Sequence, residues 1–544
     1  MSSLLEKFAG KIDLIYIDPP FATGADFTVD IEIGDKGKEV HKEHSIIEEK
    51  AYRDTWGQGT DSFLSMIYER LSLMKELLSD KGAIFVHCDW HVNAQIRLIL
   101  DEIFGSSNFQ NEILWYYYNK LHGARKMVFP RATDTIFYYL KNRETGFNFQ
   151  HISEERDNPV KKLKYSFIKG KIVNDKDESG KAITYISTER QIDNVWRIRC
   201  LQPANKREWL DFPTQKPENL IQRILESTTN EGDLVADFFC GSGTTLTAAE
   251  KLNRRWIGVD LGRFAIHTTR KRLLNINTTA ELLDESILYS KNAKPFEILN
   301  LGKYERQFWQ VKAFNRKDEK QALYEYLAFI LKLYGAEPIA GSQYIHGKKG
   351  SDLVYIGSVD SPVTVQEVQD ALSDTKSMGM KELHVLGWEW EMGLNDAIQE
   401  VAKQMGIRLK LRIIPMDVLN EQAINKKDIK FFELAYFKAD LKVSNRNLSV
   451  ELNDFVIPHT DLIPEEVQKS ITKWSDWIDY WAIDFDFQND TFNNTWTSYR
   501  TKQNRKLVLN SEKKYDKPGK YKVYVKIIDI FGIDTSQVFD ITVK

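Results

Sequence analysis

Residues Asp233 to Thr245 read DLVADFFCGSGTT, and Trp256 to Leu261 follow as WIGVDL. A short apolar run stops at Asp237, Gly241 and Gly243 make a turn, and a helical pattern begins near Thr244. Glycine lacks a Cβ, so such a strand, turn and helix let the backbone come close to a ligand. Asp260 ends the next strand, where an acid can hold ribose hydroxyls in folds of this kind. The pattern reads as a site for a nucleoside-containing cofactor, although glycine turns that serve packing alone share it. Leu246 stands where the dinucleotide fingerprint has its third glycine, so a cofactor without a pyrophosphate is expected.

Outward from this turn, strands and helices alternate. Leu14 to Asp18 is a short apolar run of strand type, and Phe63 to Leu78 has helical spacing closed by Ser79, Asp80 and Gly82. GAIFVHCD then reads as a buried strand and Val92 to Phe104 as a helix, the rhythm of a parallel sheet wrapped by helices. Glu112 to Tyr118 and Thr135 to Leu140 add two strands. Residues 141–193 lose the rhythm, turn polar and lysine-rich, and read as an insertion. It returns with a helix at Pro217 to Ser227, a strand at Leu234 to Phe238 and a strand at Trp256 to Asp260. One α/β domain is expected over residues 1–290, a mixed α/β domain over 291–440, and a β-rich domain over 441–544, where apolar residues alternate in period two.

The second informative stretch, Lys11 to Asp26, reads KIDLIYIDPPFATGAD. Alone, Asp18-Pro19-Pro20-Phe21 is also the spelling of a strand-ending turn with a capping acid and a buried Phe. Together with the glycine turn it resembles DNA amino-methyltransferases: Asp18 to Phe21 is similar to their catalytic motif, and Asp237 to Thr245 to their S-adenosylmethionine loop. The catalytic motif comes first, an order similar to the β class, which includes the modification subunits of type III restriction systems. Lys216 and Pro217 in FPTQKPENLIQRIL match the helix before the cofactor loop. The resemblance covers about residues 11–275. It implies a Rossmann-like methyltransferase fold, with Asp18, Pro19, Pro20 and Phe21 catalytic. Asp237, Phe239, Gly241, Ser242, Gly243, Thr244, Asp260 and Lys216 are then expected at S-adenosylmethionine. About a dozen residues precede the catalytic strand, fewer than in many relatives, which implies a shortened start.

The chemistry accounts for the residue types. An exocyclic base nitrogen must free a lone pair conjugated into its ring. The Asp18 carboxylate and the Pro19 carbonyl can accept its two hydrogens, favouring a tetrahedral nitrogen as charge develops. Proline holds such acceptors still because its φ is fixed. Phe21 offers a flipped base an aromatic wall in place of its lost stacking. The cofactor brings its own leaving group, so neither a metal nor a covalent intermediate is required. Asp before the prolines resembles adenine-N6 enzymes, which makes site-specific adenine-N6 methylation the expectation. The alternatives are a cytosine-N4 enzyme and a catalytically inactive DNA-binding or specificity subunit.

With 75 basic and 78 acidic residues, the balance is near neutral, so DNA contacts would have to be local. Lys161, Lys162, Lys164 and Lys169, with Tyr165 and Phe167 between them, make residues 141–205 the candidate target-recognition insertion. Three cysteines without paired spacing, no signal-peptide pattern and no long apolar run point to a cytoplasmic protein off the membrane. Expected partners are DNA, a second copy of the chain, and a restriction or other defence-system subunit. His87 and Asp89 read as scaffold. Asp352 could begin a nuclease pattern of an acid followed by E-x-K on the next strand. Glu367 is followed by Val368 and Gln369, however, so a non-cleaving domain with a nuclease-like fold is expected. The closing strands resemble small immunoglobulin-like or polycystic-kidney-type domains.

Overall fold

A computed structural model describes residues 1–19, 29–35, 38–42, 60–120, 129–147, 149–168, 170–210, 212, 214–284, 286–299, 319–391, 394–419, 429, 431, 433–457, 465–488, 492–500, 505–530 and 534–544. Pro20, Phe21 and Lys169 lie outside them. Contacts gather the chain into two units, Met1–Phe27 with Glu48–Lys294, and Thr28–Ile47 with Pro295–Lys544.

The first unit is built on a seven-stranded sheet. Its strands are β1 (Ile12–Ile17), β2 (Leu78–Cys88), β3 (Phe109–Tyr116), β4 (Thr133–Leu140), β5 (Val195–Arg197), β6 (Leu234–Asp237) and β7 (Arg255–Gly258). They lie in the order β5-β3-β4-β2-β1-β6-β7. β1 runs parallel to β2 and β6, and β6 to β7, whereas β4 is antiparallel to both β2 and β3. Side chains alternate across a strand, so β1 feeds two cores. Ile15 and Ile17 join Phe63, Ile67 and Leu71 of helix α1 (Thr60–Leu77) and Ile96 and Leu100 of α2 (Asn93–Phe104). Leu14 and Tyr16 join Leu220, Ile221 and Ile224 of α3 (Glu218–Thr228) and Ala248 of α4 (Thr244–Lys251). Each such buried aliphatic side chain contributes about 1.5–3 kcal/mol. The expected α/β fold with helices on both faces of the sheet is observed, but the sheet is mixed where a parallel one was expected, because β4 runs antiparallel to β2 and β3.

Residues 141–205 are not one irregular insertion. Ser153–Leu163 pairs with Thr184–Gln191, and Tyr165–Ile168 with Lys171–Asn174, as two exposed antiparallel ribbons. β5, from the end of the same segment, joins the central sheet beside β3. Trp196 is buried there, and the Trp115 indole donates to the Ile198 carbonyl at 2.8 Å.

The second unit contains an α-β-β-β-α-β run. Helix Glu319–Tyr334 is followed by short strands Glu337–Pro338 and Gly347–Lys349, then by β8 (Asp352–Ile356), helix Val365–Ser377 and β9 (Glu382–Gly387). Helix Leu394–Met405 leads to β10 (Arg408–Ile413). β8, β9 and β10 are parallel neighbours. Gln366 and Glu367, which the nuclease pattern would need on a strand, lie in the helix that the spacing near Val365 to Met378 predicts, and Thr364 and Glu367 close its capping box. The strand beside Asp352 is instead β9. From Tyr436 onward a three-stranded and a four-stranded antiparallel sheet share one core that includes Leu448, Trp481 and Val525.

Residues 28–47 belong to this second unit, not to the α/β domain that encloses them in sequence. The hairpin of Val29–Ile33 and Lys38–Lys42 places Ile33 in the C-terminal core, and Asp35 pairs with Arg500 and Lys473. Nothing local announces this: long-range packing decides it. Among the described residues no helix is long and apolar enough to cross a membrane.

Candidate active site

Asp18 directly follows β1 at the carboxyl edge of the parallel strands. Because β4 runs antiparallel to β2, its first residues meet the last residues of β2 at that same edge, with Cys88 opposite Thr135. Asp134 is thereby brought beside His87. The His87 ring is wholly buried. Its Nδ1 lies 2.9 Å from the Tyr16 hydroxyl and 3.8 Å from Asp18 Oδ1, and its Nε2 lies 3.4 Å from Asp134 Oδ2. The Tyr117 hydroxyl donates to Asp134 Oδ1 at 3.2 Å, and the Trp115 ring packs edge-on against His87 at 5.6 Å. Burial pushes the Tyr16 phenol well up, and the charges of Asp18, Asp237 and Asp134 add to this, so it stays a donor. The Tyr16 hydroxyl faces Nδ1 and the Asp134 carboxylate faces Nε2, so the ring is held from both sides. Burial alone would raise the Asp134 carboxyl, but hydrogen bonding to His87 and the nearby positive charge of Lys216 hold it below the ordinary range.

Lys216 lies half-buried against this edge and pairs with Asp18 Oδ2. Its own carbonyl accepts from the Thr244 hydroxyl at 3.1 Å. One residue thus ties the Asp18 turn to the glycine turn. The other carboxylate oxygen, Asp18 Oδ1, is buried and has no hydrogen-bond partner among the described residues. Burying an unpaired acceptor is costly, so it marks a place for an incoming donor.

The glycine turn is braced from below. Asp237 is buried, with Oδ1 accepting the Phe239 amide at 3.0 Å and Oδ2 the Thr245 hydroxyl at 2.6 Å; burial pushes its carboxyl up to about 7. Asp260 accepts the amides of Gly241 at 2.9 Å and Gly262 at 2.8 Å. Arg272 donates to the Ser242 carbonyl at 3.1 Å and the Thr244 hydroxyl at 3.0 Å. Its guanidinium is paired with buried Glu218 at 2.7 Å, and Glu218 also holds Lys251 at 2.6 Å. Gly243 has φ +75°, and a Cβ there would lie 2.7 Å from Thr269, whose hydroxyl donates to the Gly241 carbonyl at 2.8 Å. The missing Cβ atoms of Gly243 and Gly241 face Thr269 and Phe212, so the two glycines let the turn pack closely against its neighbours, at positive φ that glycine adopts freely.

The structure therefore brings Asp18, Pro19, Lys216, Asp237, Phe239 to Thr244 and Asp260 to one edge. Asp237 and Asp260 act on the loop itself, through its amides and a hydroxyl. Lys161 and Lys162 lie on the longer exposed ribbon and Lys164 just after it, flanked by exposed Tyr165 and Phe167. Sequence reasoning set His87 aside as scaffold and missed Tyr16, Asp134, Tyr117, Glu218 and Arg272. Only His87, at the end of FVHCD, carried a local sign. Asp89 is engaged by His91 Nδ1 at 2.5 Å.

Residues 12–271 match the protein family described as DNA methylase. The chain is 27% identical over 310 residues to the type II methyltransferase M.EcaI of Enterobacter cloacae, covering 48% of this chain and 64% of that protein. It is 25% identical over 353 residues to the StyLTI Mod subunit, a type III restriction-modification enzyme of Salmonella typhimurium, covering 52% of this chain and 54% of that protein. The chain thus spans little more than half the length of these curated relatives. A solved structure of the M1.HpyAVI–SAM complex overlaps 50% of this chain and 95% of its own, with 18% identity and a TM-score of 0.30.

Proposed function

We propose, on the premise that residues 12–271 belong to the DNA methylase family, that this chain transfers a methyl group to an exocyclic amino group of DNA, and specifically to adenine N6. The observation that carries the reading is the buried Asp18 Oδ1, which has no hydrogen-bond partner among the described residues and is held beside the glycine turn by Lys216. The cofactor is S-adenosylmethionine, which supplies a methyl group on a positively charged sulfur. Gly241 to Thr244 and Asp260 hold it close to the backbone.

Lys216 occupies one oxygen of Asp18, so the carboxylate cannot turn away, and Oδ1 is left to accept a hydrogen of the target amino group. The Pro19 carbonyl accepts the other. Both contacts strengthen as the nitrogen turns tetrahedral and positive, which is when they lower the barrier. After transfer the nitrogen carries one proton too many, and Asp18 is the group placed to draw it off. His87, fixed by Tyr16 and Asp134, forms the floor under Asp18 and keeps solvent from it. The ribbon lysines contact phosphates, and stacking on the flipped base is the role expected of Phe21, which lies outside the described residues. This substrate places the chain in the cytoplasm, and the relatives named as Mod subunits support a restriction or other defence complex as its setting, as a dimer or with a restriction subunit. The C-terminal two-sheet domain is an immunoglobulin-like positioning module.

Transfer of labelled methyl groups from S-adenosylmethionine to plasmid DNA, followed by digestion to nucleosides, tests this. N6-methyladenine is expected, with Asp18→Ala lowering the rate by about 10²–10³-fold. N4-methylcytosine would replace the base assignment. No label, with the cofactor bound, would leave a binding subunit as the reading.

A further inference from the structure

The α-β-β-β-α-β region of the second unit brings together a group that takes no part in methyl transfer. Asp352 opens β8. Glu382 and His384 lie two residues apart on β9 and so share one face of the sheet. The register sets Leu353 against Leu383, which places Asp352 alongside Glu382 at the amino ends of two parallel strands. His384 Nε2 lies 3.0 Å from Glu382 Oε1 and 3.7 Å from Asp352 Oδ2. One possible ligand atom from each residue lies within 4.8 Å of the others, and among the described residues this is the group of three that does so.

We propose that Asp352, Glu382 and His384 form a binding site for a divalent transition-metal ion. Atoms bound at about 2.0–2.2 Å to one ion stand about 3.0–3.6 Å from each other, close to the 3.0 and 3.7 Å that separate His384 Nε2 from the two carboxylates. The Tyr334 hydroxyl lies 2.8 Å from His384 Nδ1 and fixes the ring so that Nε2 faces the two carboxylates, the second-layer arrangement that orients metal-bound histidines. The histidine is buried while Asp352 is partly exposed, so the group is closed below and open on one side, where water can complete the coordination. One imidazole with two carboxylates suits Mn²⁺, Zn²⁺ or Co²⁺ better than Ca²⁺ or Mg²⁺, which favour oxygen alone.

Glu382 is also held by Lys410 at 2.5 Å and Arg408 at 3.1 Å. These cations define the competing reading, a structural ion network in which Glu382 already has its counter-charges. They also make a prediction particular to the site. An ion must displace the His384–Glu382 hydrogen bond and share Glu382 with Lys410, so removing the ammonium should strengthen metal binding and not weaken it.

Titration of the full chain with Mn²⁺, followed by electron paramagnetic resonance, and with Zn²⁺, followed by calorimetry, tests the site. About one equivalent should bind. Asp352→Asn should weaken binding about tenfold or more, His384→Gln should remove the nitrogen coupling from the Mn²⁺ signal, and Lys410→Met should tighten binding. Asp352 is partly exposed, so its variant remains informative if the His384 variant fails to fold. Absence of binding at millimolar metal, or affinity unchanged in Asp352→Asn, would overturn the proposal and leave the ion network.

Discussion

Gly243→Ala is the sharpest perturbation of the cofactor cradle. The residue caps α4 at φ +75°, a conformation that costs an L-residue with a Cβ about 1–2 kcal/mol. The added methyl would sit 2.7 Å from both Cγ2 and Oγ1 of Thr269 and 3.1 Å from its Cβ. Thr269 is buried, so relieving the overlap forces a shift or rotamer change worth about 1–3 kcal/mol. If the hydroxyl swings away, the Gly241 carbonyl loses its 2.8 Å hydrogen bond, a further loss of about 1 kcal/mol. The total is about 3–6 kcal/mol against the first unit, and the turn it distorts is the one assigned to the cofactor. Denaturant unfolding gives the stability cost, and calorimetry with S-adenosylmethionine gives the affinity, which should fall at least tenfold. The partition can be checked in a Thr269→Ala background, where the two nearest atoms are gone. There the same glycine substitution should cost the backbone share, about 1–2 kcal/mol, plus what remains of the 3.1 Å approach to the Cβ at position 269. A cost under about 0.5 kcal/mol in the native background, or an equal cost in both backgrounds, would refute the reasoning.

Three further outcomes are expected. Burial raises the Asp237 carboxyl from 3.8 to about 7, so the folded state binds the proton more tightly than the unfolded chain; its stabilising effect is complete below about pH 4 and is lost as pH rises through about 7. Relative to Asp237→Asn, the native protein should therefore lose stability by up to about 1.4 kcal/mol per pH unit across that window, and parallel pH curves for the two would contradict it. Asp35→Ala removes the shared carboxylate of Arg500 and Lys473. At roughly one-third exposure this should cost about 1–2 kcal/mol, with faster hydrogen exchange in Val29–Ile33, and unchanged exchange would count against the anchor. Replacing Lys161, Lys162 and Lys164 by Gln should weaken DNA binding and flatten its salt dependence by about 0.9 in log–log slope for each phosphate that these lysines neutralise; an unchanged slope would remove the ribbon from the DNA interface.

Strand and helix alternation, the glycine turn and the Asp18 turn were legible because they rest on local rules: apolar period, turn chemistry and the conformational freedom of glycine. The ribbon strands within residues 141–205 were not, because nearly all their side chains are exposed, apolar ones such as Phe167 and Ile172 included, so no buried face imposes an alternation. The helix near Val365 to Met378 was legible from its spacing and begins at the Thr364 capping box, whereas the strand that pairs with β8, β9, is set by long-range register.

What the sequence by itself determined is which residues could bind and orient an amino group and a nucleoside cofactor, since those motifs are written in consecutive positions. The tertiary structure decided which distant residues complete them. An antiparallel β4 sets Asp134 against His87, the segment leading into α3 lends Lys216 to Asp18, α3 lends Glu218 to Arg272, and the C-terminal core claims the hairpin that follows the Asp18 turn. It also set Glu382 and His384 beside Asp352. Strand order and helix docking make such contacts, and these follow from how the whole chain buries its apolar surface, a quantity that no local spacing records.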